Sequence, residues 1–154
     1  MKALSHIIFY ALLAMLVSVC STPDKRTTTD DIFRKPDKYN FKFTGFDADI
    51  KNPDKDRRSY YKIFIDKAEE GRTTTGLESQ EKSYEAVLSP NRHLIKVEKW
   101  VLDQKSGRYV KLNNIEQPKP DYMYFLMPEN KIVIIEMKSR DDGDTEFKID
   151  YERK

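Results

Sequence analysis

The sequence has one cysteine, Cys20, and only two histidines in 154 residues. A disulfide within the chain needs two cysteines, so the folded part must be stabilised by its hydrophobic core. His93 is the only histidine beyond residue 6, and a metal site or a catalytic base normally needs further partners of fixed type. We therefore expect His93 to have a structural role in a turn or at the start of a strand.

An excess of either charge is also lacking. The chain has 28 basic and 26 acidic residues, which gives a net charge of +2. A nucleic-acid-binding domain usually has a clustered basic face, and the sequence has no such cluster. Aromatic and β-branched residues are grouped in short runs, which disordered chains lack. The composition predicts a folded domain that does not bind nucleic acid.

Long apolar runs are absent except near the start, where residues 7–19 are almost entirely apolar. Lys2 precedes this run and Cys20 follows it, after which the sequence becomes polar. About 13 residues are too few to cross roughly 30 Å of hydrocarbon as a helix. A positive start, a short apolar core and small residues at the end are typical of an export signal.

The end of this run, Leu16-Val17-Ser18-Val19-Cys20, resembles the lipobox of bacterial lipoproteins in the looser form found in spirochaetes. Val19 stands where that family prefers glycine, alanine or serine. The resemblance implies that Cys20 is acylated and becomes the first mature residue, held in the cell envelope at the outer membrane. The family carries three acyl chains on this cysteine, and several are needed because one chain anchors a protein only marginally.

Two other interpretations of Cys20 stay open. Ordinary signal cleavage, with Ser18 and Cys20 as the small residues, would release a soluble protein. In an uncleaved chain, Cys20 would be a buried structural residue.

Composition divides the chain into three parts. Residues 1–19 are the expected signal peptide. Residues 20–31 contain three successive threonines and no apolar period, which is typical of a tether. The remaining residues 32–154 are long enough for one domain.

Within residues 32–154, apolar and polar residues alternate with a period of two, and no helical period is present. Eight strands are expected, at 39–44, 60–66, 84–88, 94–102, 109–112, 122–127, 132–137 and 147–151, with a further short edge strand at 72–76. Gly45 is expected to end the first strand, 68–71 to form a turn, and 84–88 and 94–102 to form a hairpin. Strands at this spacing predict an all-β fold, an antiparallel β-sandwich of seven to eight strands.

Three segments, residues 63–66, 71–74 and 88–97, resemble the PEGA family. Those modules have an apolar strand ending in Asp-Gly, a Gly-Lys-Thr-Pro turn and a Leu-x-Pro-Gly-x-His hairpin. Asn91 replaces the usual glycine and Thr74 the usual proline. The resemblance implies a small β-sandwich of a cell-envelope protein without catalytic activity.

Two acidic segments could supply oxygen ligands to Ca²⁺, which prefers six to eight of them. Lysine and arginine interleave with the first, and Gly143 indicates a hairpin turn in the second, so we expect a solvated loop and a turn. We expect no metal and no cofactor. The two segments are Asp47, Asp49, Asn52, Asp54 and Asp56, and Asp141, Asp142, Asp144 and Glu146.

Aromatic residues are the remaining candidates for a site. They form either the core of the sandwich or an exposed binding surface, because aromatic side chains are common in both. Lys96, Glu98 and Lys99 are expected to face water. The aromatic residues are Trp100, Tyr84, Tyr109, Tyr122 and Tyr124, of which all but Tyr84 make up the possible binding surface.

Motifs of catalysis are absent: the sequence has no serine-centred elbow, phosphate-binding loop or Cys-His pair. We therefore expect a lipid-anchored envelope protein that binds a protein partner and is not an enzyme. The alternatives are an assembly subunit of a periplasmic or outer-membrane complex and a hydrolase that uses surface carboxylates.

Overall fold

The structure is a computed structural model that describes residues 38–50, 52–140 and 142–154. These residues belong to the compact unit Ile32–Lys154. The expected signal peptide 1–19, the expected tether 20–31 and Cys20 lie outside the described residues, as does Asp141. No helix in the described part of the chain is long and apolar enough to cross a membrane.

The described residues form ten strands and one helical segment, a 3-10 turn at Pro53–Lys55. In chain order the strands are β1 Phe41–Asp47, β2 Arg58–Ile65, β3 Ala68–Arg72, β4 Gly76–Leu77, β5 Lys82–Ala86, β6 Arg92–Asp103, β7 Arg108–Lys111, β8 Tyr122–Leu126, β9 Lys131–Ser139 and β10 Thr145–Arg153.

The strands form two sheets. The four-stranded sheet has the order β10-β9-β1-β5. The six-stranded sheet has the order β3-β2-β6-β7, and in it β4 also pairs with β2 and β8 with β6. β1 and β9 are parallel, whereas the other strand pairs described are antiparallel. The prediction of an all-β sandwich is confirmed, with ten strands instead of seven or eight and with one parallel pair.

The core lies between the two sheets, because successive side chains of a strand point to opposite faces and every second one turns inward. Phe41 of β1 stacks on Phe125 of β8 with ring centroids 5.3 Å apart, and Phe43 of β1 makes an edge contact with Tyr61 of β2 at 6.1 Å. Full burial of such a side chain stabilises the fold by about 1.5–3 kcal/mol. Other fully buried side chains are Ile63, Ile95, Val97, Val133, Ile135 and Met137.

Gly45 does not end the first strand, and that prediction was wrong. β1 continues to Asp47, and Gly45 pairs with Lys82 of β5 and Met137 of β9. A Cβ atom on Gly45 would lie 3.0 Å from Cε2 of Tyr61. Glycine is therefore present here to make room for the Tyr61 ring inside the strand.

The segment after β2 also differs from the prediction. Residues 68–71, expected as a turn, belong to β3, and most of the expected strand 72–76 is a loop before β4. The chain reverses earlier, at Asp66 and Lys67, whose φ angles are 50° and 75°. Two positive φ angles suit the tight turn of a hairpin, which is usually marked by glycine or asparagine. Lys67 carries no such signal, so the sequence pattern does not reveal the turn.

Residues 84–88 and 94–102 do not form the expected hairpin. β5 pairs with β1 in the four-stranded sheet and β6 pairs with β2 in the six-stranded sheet, so the connection crosses between sheets. The Asn40 side chain fixes this crossing: its Oδ1 accepts a hydrogen bond from the Leu88 amide, and its Nδ2 donates one to the Leu88 carbonyl, both at 2.8 Å. Alternation alone does not distinguish a hairpin from such a crossover, because both present the same period.

Candidate functional site

Three aromatic rings lie side by side on the outer surface of the six-stranded sheet. Trp100 of β6 is the cross-strand partner of Tyr60 of β2. Their ring centroids are 6.2 Å apart and their planes differ by 8°. Tyr109 of β7 makes an edge contact with Tyr60 at 5.0 Å. Tyr60 and Trp100 point away from the space between the sheets, because their chain neighbours Tyr61 and Val101 point inward, and Tyr109 is the cross-strand partner of Leu102 on the same outer side. Tyr60 is only 5% exposed, whereas Trp100 and Tyr109 are half-buried.

Two cations lie over these rings. Nζ of Lys62 is 4.7 Å from the centroid of the Trp100 ring, and Cζ of Arg72 is 5.1 Å from that of Tyr60. Each contact of this kind is worth about 0.5–1 kcal/mol at an exposed site. Within the described residues, the buried Nε1 of Trp100 has no hydrogen-bond acceptor. The Trp100 ring thus contacts Tyr60 and Lys62, while its one polar atom stays unsatisfied in the described part of the chain.

A second aromatic group extends the same surface along β8. Tyr122 and Tyr124 pair with Lys96 and Leu94 of β6, on the outward side. They are 52% and 55% exposed, and Leu126 is 59% exposed. We call Tyr60, Trp100, Tyr109, Tyr122 and Tyr124 the outer aromatic face.

The structure decides where the aromatic residues named from the sequence lie. Trp100, Tyr109, Tyr122 and Tyr124 share the outer surface of one sheet, so the core interpretation is wrong for these four. Tyr84 instead lies on β5 and packs against the core, with its hydroxyl donating to the Glu70 carbonyl at 3.3 Å. Tyr60 was not named from the sequence, because its cross-strand contact with Trp100 depends on a register that the pattern does not give.

The outer surface of the four-stranded sheet has a different composition. Its large apolar side chains are Phe46, Ile132 and Ile134, and in the described part of the chain it carries no tyrosine or tryptophan. Charged residues dominate it, as expected for a sheet face in water. They are Lys42, Glu85, Glu136, Lys138, Glu146, Lys148, Asp150 and Glu152.

A buried cluster of charges lies elsewhere, between the sheets at one end of the sandwich. Lys99 of β6, only 5% exposed, contacts Asp47 of β1 and also Glu78, whose Oε1 lies 2.7 Å from Lys99 Nζ. Arg57 donates from Nε and Nη2 to the two oxygens of Glu78, each at 3.0 Å. Its Nη2 also donates to Glu116 at 3.2 Å.

Two further polar groups complete this cluster. The hydroxyl of Tyr61 donates to Asp47 at 2.8 Å, and burial together with the Asp47 carboxylate raises the pKa of Tyr61 well above its ordinary value. Nζ of Lys82 donates to the carbonyls of Leu77, Glu78 and Gln80 at 2.7, 3.0 and 2.7 Å. Burial lowers the pKa of Lys82 to about 8.

The carboxylate of Glu78 is held in its charged form. Burial alone would raise its pKa, but Arg57 and Lys99 lower it below the ordinary value. The cluster lines an open cleft of about 920 Å³, whose apolar walls include Val101 and Val110. The ion pair between Lys99 of β6 and Asp47 of β1 joins the two sheets, and Asp47 and Glu78 are both ion-paired.

Two expectations from the sequence fail in this cluster. Lys99 was expected to face water, but it has the same parity along β6 as Ile95 and Val97 and therefore points inward. Asp47 was expected in a solvated acidic loop, but it is the last residue of β1 and is buried. Charged residues usually face water, so the sequence alone suggests that Lys99 and Asp47 are exposed. They are buried because each neutralises the charge of the other in the folded chain.

Asp49, Asn52, Asp54, Asp56, Asp142 and Asp144 lie outside the strands, as expected, but Glu146, expected in the turn, lies in β10. Asn52 accepts a hydrogen bond from the Asp54 amide at 3.0 Å, and Asp56 accepts from the hydroxyl of Ser79 at 2.6 Å. Gly143 has a φ of 84° in the turn before β10. Among the described residues, no group of three or more histidine, cysteine or acidic side chains is arranged to hold a metal ion.

His93 lies at the start of β6, as expected. Its Nδ1 is 2.6 Å from Oδ2 of Asp66, and its Nε2 is 2.8 Å from the Ser89 carbonyl. A carbonyl and a carboxylate only accept hydrogen bonds, so both ring nitrogens donate when the ring is protonated. Burial by itself lowers the pKa of His93, but the hydrogen bonds to Ser89 and Asp66 raise it above its ordinary value.

Comparison of the chain with protein-family models, with curated proteins and with solved structures yields no match. The likenesses to the lipobox and to the PEGA family therefore stay predictions. Asp66 and His93 belong to two of the PEGA-like segments, and the structure joins them by a hydrogen bond.

Proposed function

We propose that the chain is a lipid-anchored binding protein of the bacterial cell envelope, which recognises a protein partner through the outer aromatic face. The observation that carries this proposal is the difference between the two outer surfaces of the sandwich. One surface is mainly charged, whereas the other presents Tyr60, Trp100, Tyr109, Tyr122 and Tyr124. Trp100, Tyr109, Tyr122 and Tyr124 lie outside the core cluster, and Tyr60, only 5% exposed, lies beneath the neighbouring rings.

The composition of the face suits a protein partner. Tyrosine, tryptophan and arginine are enriched at protein–protein interfaces and among the residues that dominate their binding energy. Trp100 is fixed between Tyr60 and Lys62, and Tyr124 lies beneath Arg92, whose Cζ is 4.7 Å from the ring centroid. Side chains that are ordered before binding lose less conformational entropy when a partner arrives.

The surroundings of the face have the polar character of an interface rim. Lys111 contacts Glu98 at 2.7 Å, Lys62 contacts Glu69 at 3.2 Å, and Lys96 lies 3.6 Å from Asp121. β6 runs below this surface for 12 residues, roughly 40 Å at 3.4 Å per residue. A surface of this length is large enough for a protein, since a typical interface covers about 800 Å² on each partner.

The envelope location is supported by the apolar run at residues 7–19 and by Cys20. With acyl chains on Cys20, the polar residues 21–31 would separate the domain from the bilayer. The mass of the mature N-terminus tests this part directly. We expect an acylated Cys20 as the first residue, whereas a chain that begins with a free Ser21 would contradict the anchor.

Site-specific photo-crosslinking tests the binding surface. A photoreactive residue is placed at Tyr109 or Tyr124 of the outer aromatic face, and at Lys138 on the other outer surface as the matched control, in cells that naturally make the protein. We expect a discrete adduct from Tyr109 and Tyr124 and none from Lys138. Equal adducts from both surfaces, or an adduct from Lys138 alone, would reject the proposed surface.

A further inference from the structure

The edge of the four-stranded sheet at β10 is open. β10 is nine residues long and pairs with β9 on one side only. No strand in the described part of the chain pairs with its other side. An open edge presents a row of backbone N–H and C=O groups that can pair with another strand.

Hydrogen bonds at the two ends of β10 show which of its residues present those groups. The Arg140 amide donates to the Asp144 carbonyl at 2.9 Å, and the Lys154 amide donates to the Asn130 carbonyl at 3.5 Å. Hydrogen-bonded pairs alternate along an antiparallel ladder, so even-numbered residues of β10 bond to β9. The odd-numbered residues from 147 to 153 therefore direct their backbone groups outward.

We propose that β10 pairs with β10 of a second copy of this chain, antiparallel, about a two-fold axis at Asp150. In this register the outward backbone groups of Ile149 face those of the partner's Tyr151. Those of Phe147 likewise face the partner's Arg153. The two four-stranded sheets then form one continuous sheet.

Charge complementarity selects this register. Lys148 lies opposite the partner's Glu152, and Glu146 lies opposite the partner's Lys154, and the symmetry repeats both pairs. The two Asp150 side chains meet at the axis, and each carboxylate is ion-paired with Lys148 of its own chain at 2.8 Å. Opposite charges directly across an antiparallel pair are favourable and like charges are unfavourable.

The neighbouring registers are less favourable. An axis at Ile149 places Lys148 opposite the partner's Asp150 but also Glu146 opposite the partner's Glu152, and each contact occurs twice, so the repulsion offsets the attraction. An axis at Lys148 sets two lysines against each other and Asp150 against the partner's Glu146. A two-fold axis that passes between two residues would place odd-numbered residues of one β10 opposite even-numbered residues of the other. Outward backbone groups would then face inward ones, so the hydrogen-bond ladder cannot form.

The inner surface and the end of the strand agree with the same register. Phe147 and Ile149 pack against the core, and Tyr151 is 45% exposed beside them, so a partner's β10 would extend the apolar layer. Lys119 already occupies the edge before residue 147: its amide donates to Gly143 at 2.7 Å and its carbonyl accepts from Thr145 at 3.0 Å. The proposed pairing begins just past this obstruction.

Sedimentation and disulfide trapping test the dimer on the full chain with Cys20→Ser, so that an introduced cysteine is the only thiol. Asp150→Cys places two cysteines at the axis, where opposed Cβ atoms of a non-hydrogen-bonded pair come closest. Lys148→Cys on the same surface of the same strand is the matched control, because the two copies of residue 148 would lie four residues apart along the ladder. We expect a dimer that Asp150→Cys traps under mild oxidation and Lys148→Cys does not.

A charge exchange provides a second test. Lys148→Glu sets a glutamate opposite the partner's Glu152 and is expected to weaken the dimer about tenfold. Adding Glu152→Lys restores opposite charges and the affinity, while the unfolding midpoint of each variant shows whether the monomer is intact. A chain that sediments as a monomer at all concentrations, or better trapping by Lys148→Cys, would overturn the proposal.

Discussion

Lys99 and Asp47 form a buried ion pair that joins the two sheets, with Lys99 on β6 and Asp47 at the end of β1. Glu78 shares the same ammonium group at 2.7 Å. Replacing a whole buried ion pair with apolar residues is often neutral, but removing one partner leaves an uncompensated buried charge. The pair therefore makes the fold sensitive to single changes at this end of the sandwich.

Lys99→Ala should lower the free energy of unfolding by about 3–5 kcal/mol, because it leaves Asp47 and Glu78 without their common cation. Urea denaturation monitored by circular dichroism measures the change. Lys96→Ala is the matched control on the same strand: Lys96 is half-exposed, and its loss should change stability by no more than about 0.5 kcal/mol. Similar losses for both variants would mean that the buried pair has no special role.

Lys82 should make stability rise with pH in one window. Its pKa of about 8 in the folded chain lies below the value of 10.5 expected when unfolded. Between these values the unfolded chain binds more protons, so stability increases as pH rises from about 8 toward 10. Lys82→Met should remove this increase, which unfolding midpoints at several pH values can detect. An identical pH profile in the variant would contradict the lowered pKa.

His93 should respond to pH in the opposite direction. Its folded pKa is raised, so its contribution to stability is complete below its unfolded value of 6.5 and is lost as pH rises through the folded value. Titration of the ring by NMR should give a pKa above 6.5 that falls in Asp66→Asn. An unchanged His93 titration in Asp66→Asn would show that the hydrogen bond between the two side chains has no effect.

Gly45→Ala should destabilise the core by about 1–3 kcal/mol, the usual cost of adding an atom to a packed site. The new Cβ would meet rigid ring atoms of Tyr61 and Phe43 at 3.0 and 3.1 Å. Gly76→Ala is the comparison, because its nearest neighbour is the flexible end of the Gln80 side chain at 3.1 Å. Thermal unfolding should show a clearly larger shift for Gly45→Ala, and equal shifts would contradict the close packing of Tyr61.

Local pattern predicts eight of the ten strands in the described residues, because successive side chains of a strand face opposite sides of the sheet. It misses β3 and β4, whose residues are exposed or half-buried. It also locates turns that depend on glycine, as at Gly107 and Gly143, whose φ angles are 65° and 84°. The pattern fails where the partner is distant in sequence. The parallel pairing of β1 with β9 joins residues about ninety positions apart, and nothing local specifies it.

The same limit applies to the sites. Trp100 is recognisable as a candidate from its residue type, but its stacking on Tyr60 depends on cross-strand register. Lys99 looks solvent-exposed until Asp47 and Glu78, from other segments, are brought beside it. One signal in the sequence does indicate that Lys99 is buried. Lys99 follows Ile95 and Val97 at a spacing of two residues, which places it on the inward side of the strand.

Binding of a protein partner by the outer aromatic face is tested most directly by the effect of Trp100→Ala on the adduct formed from Tyr124. Interface residues of this type can cost 2 kcal/mol or more when truncated, so the adduct yield should fall about tenfold or more. Ile134→Ala, on the opposite outer surface, should leave the yield unchanged. An unaltered yield in a folded Trp100→Ala chain would contradict the account.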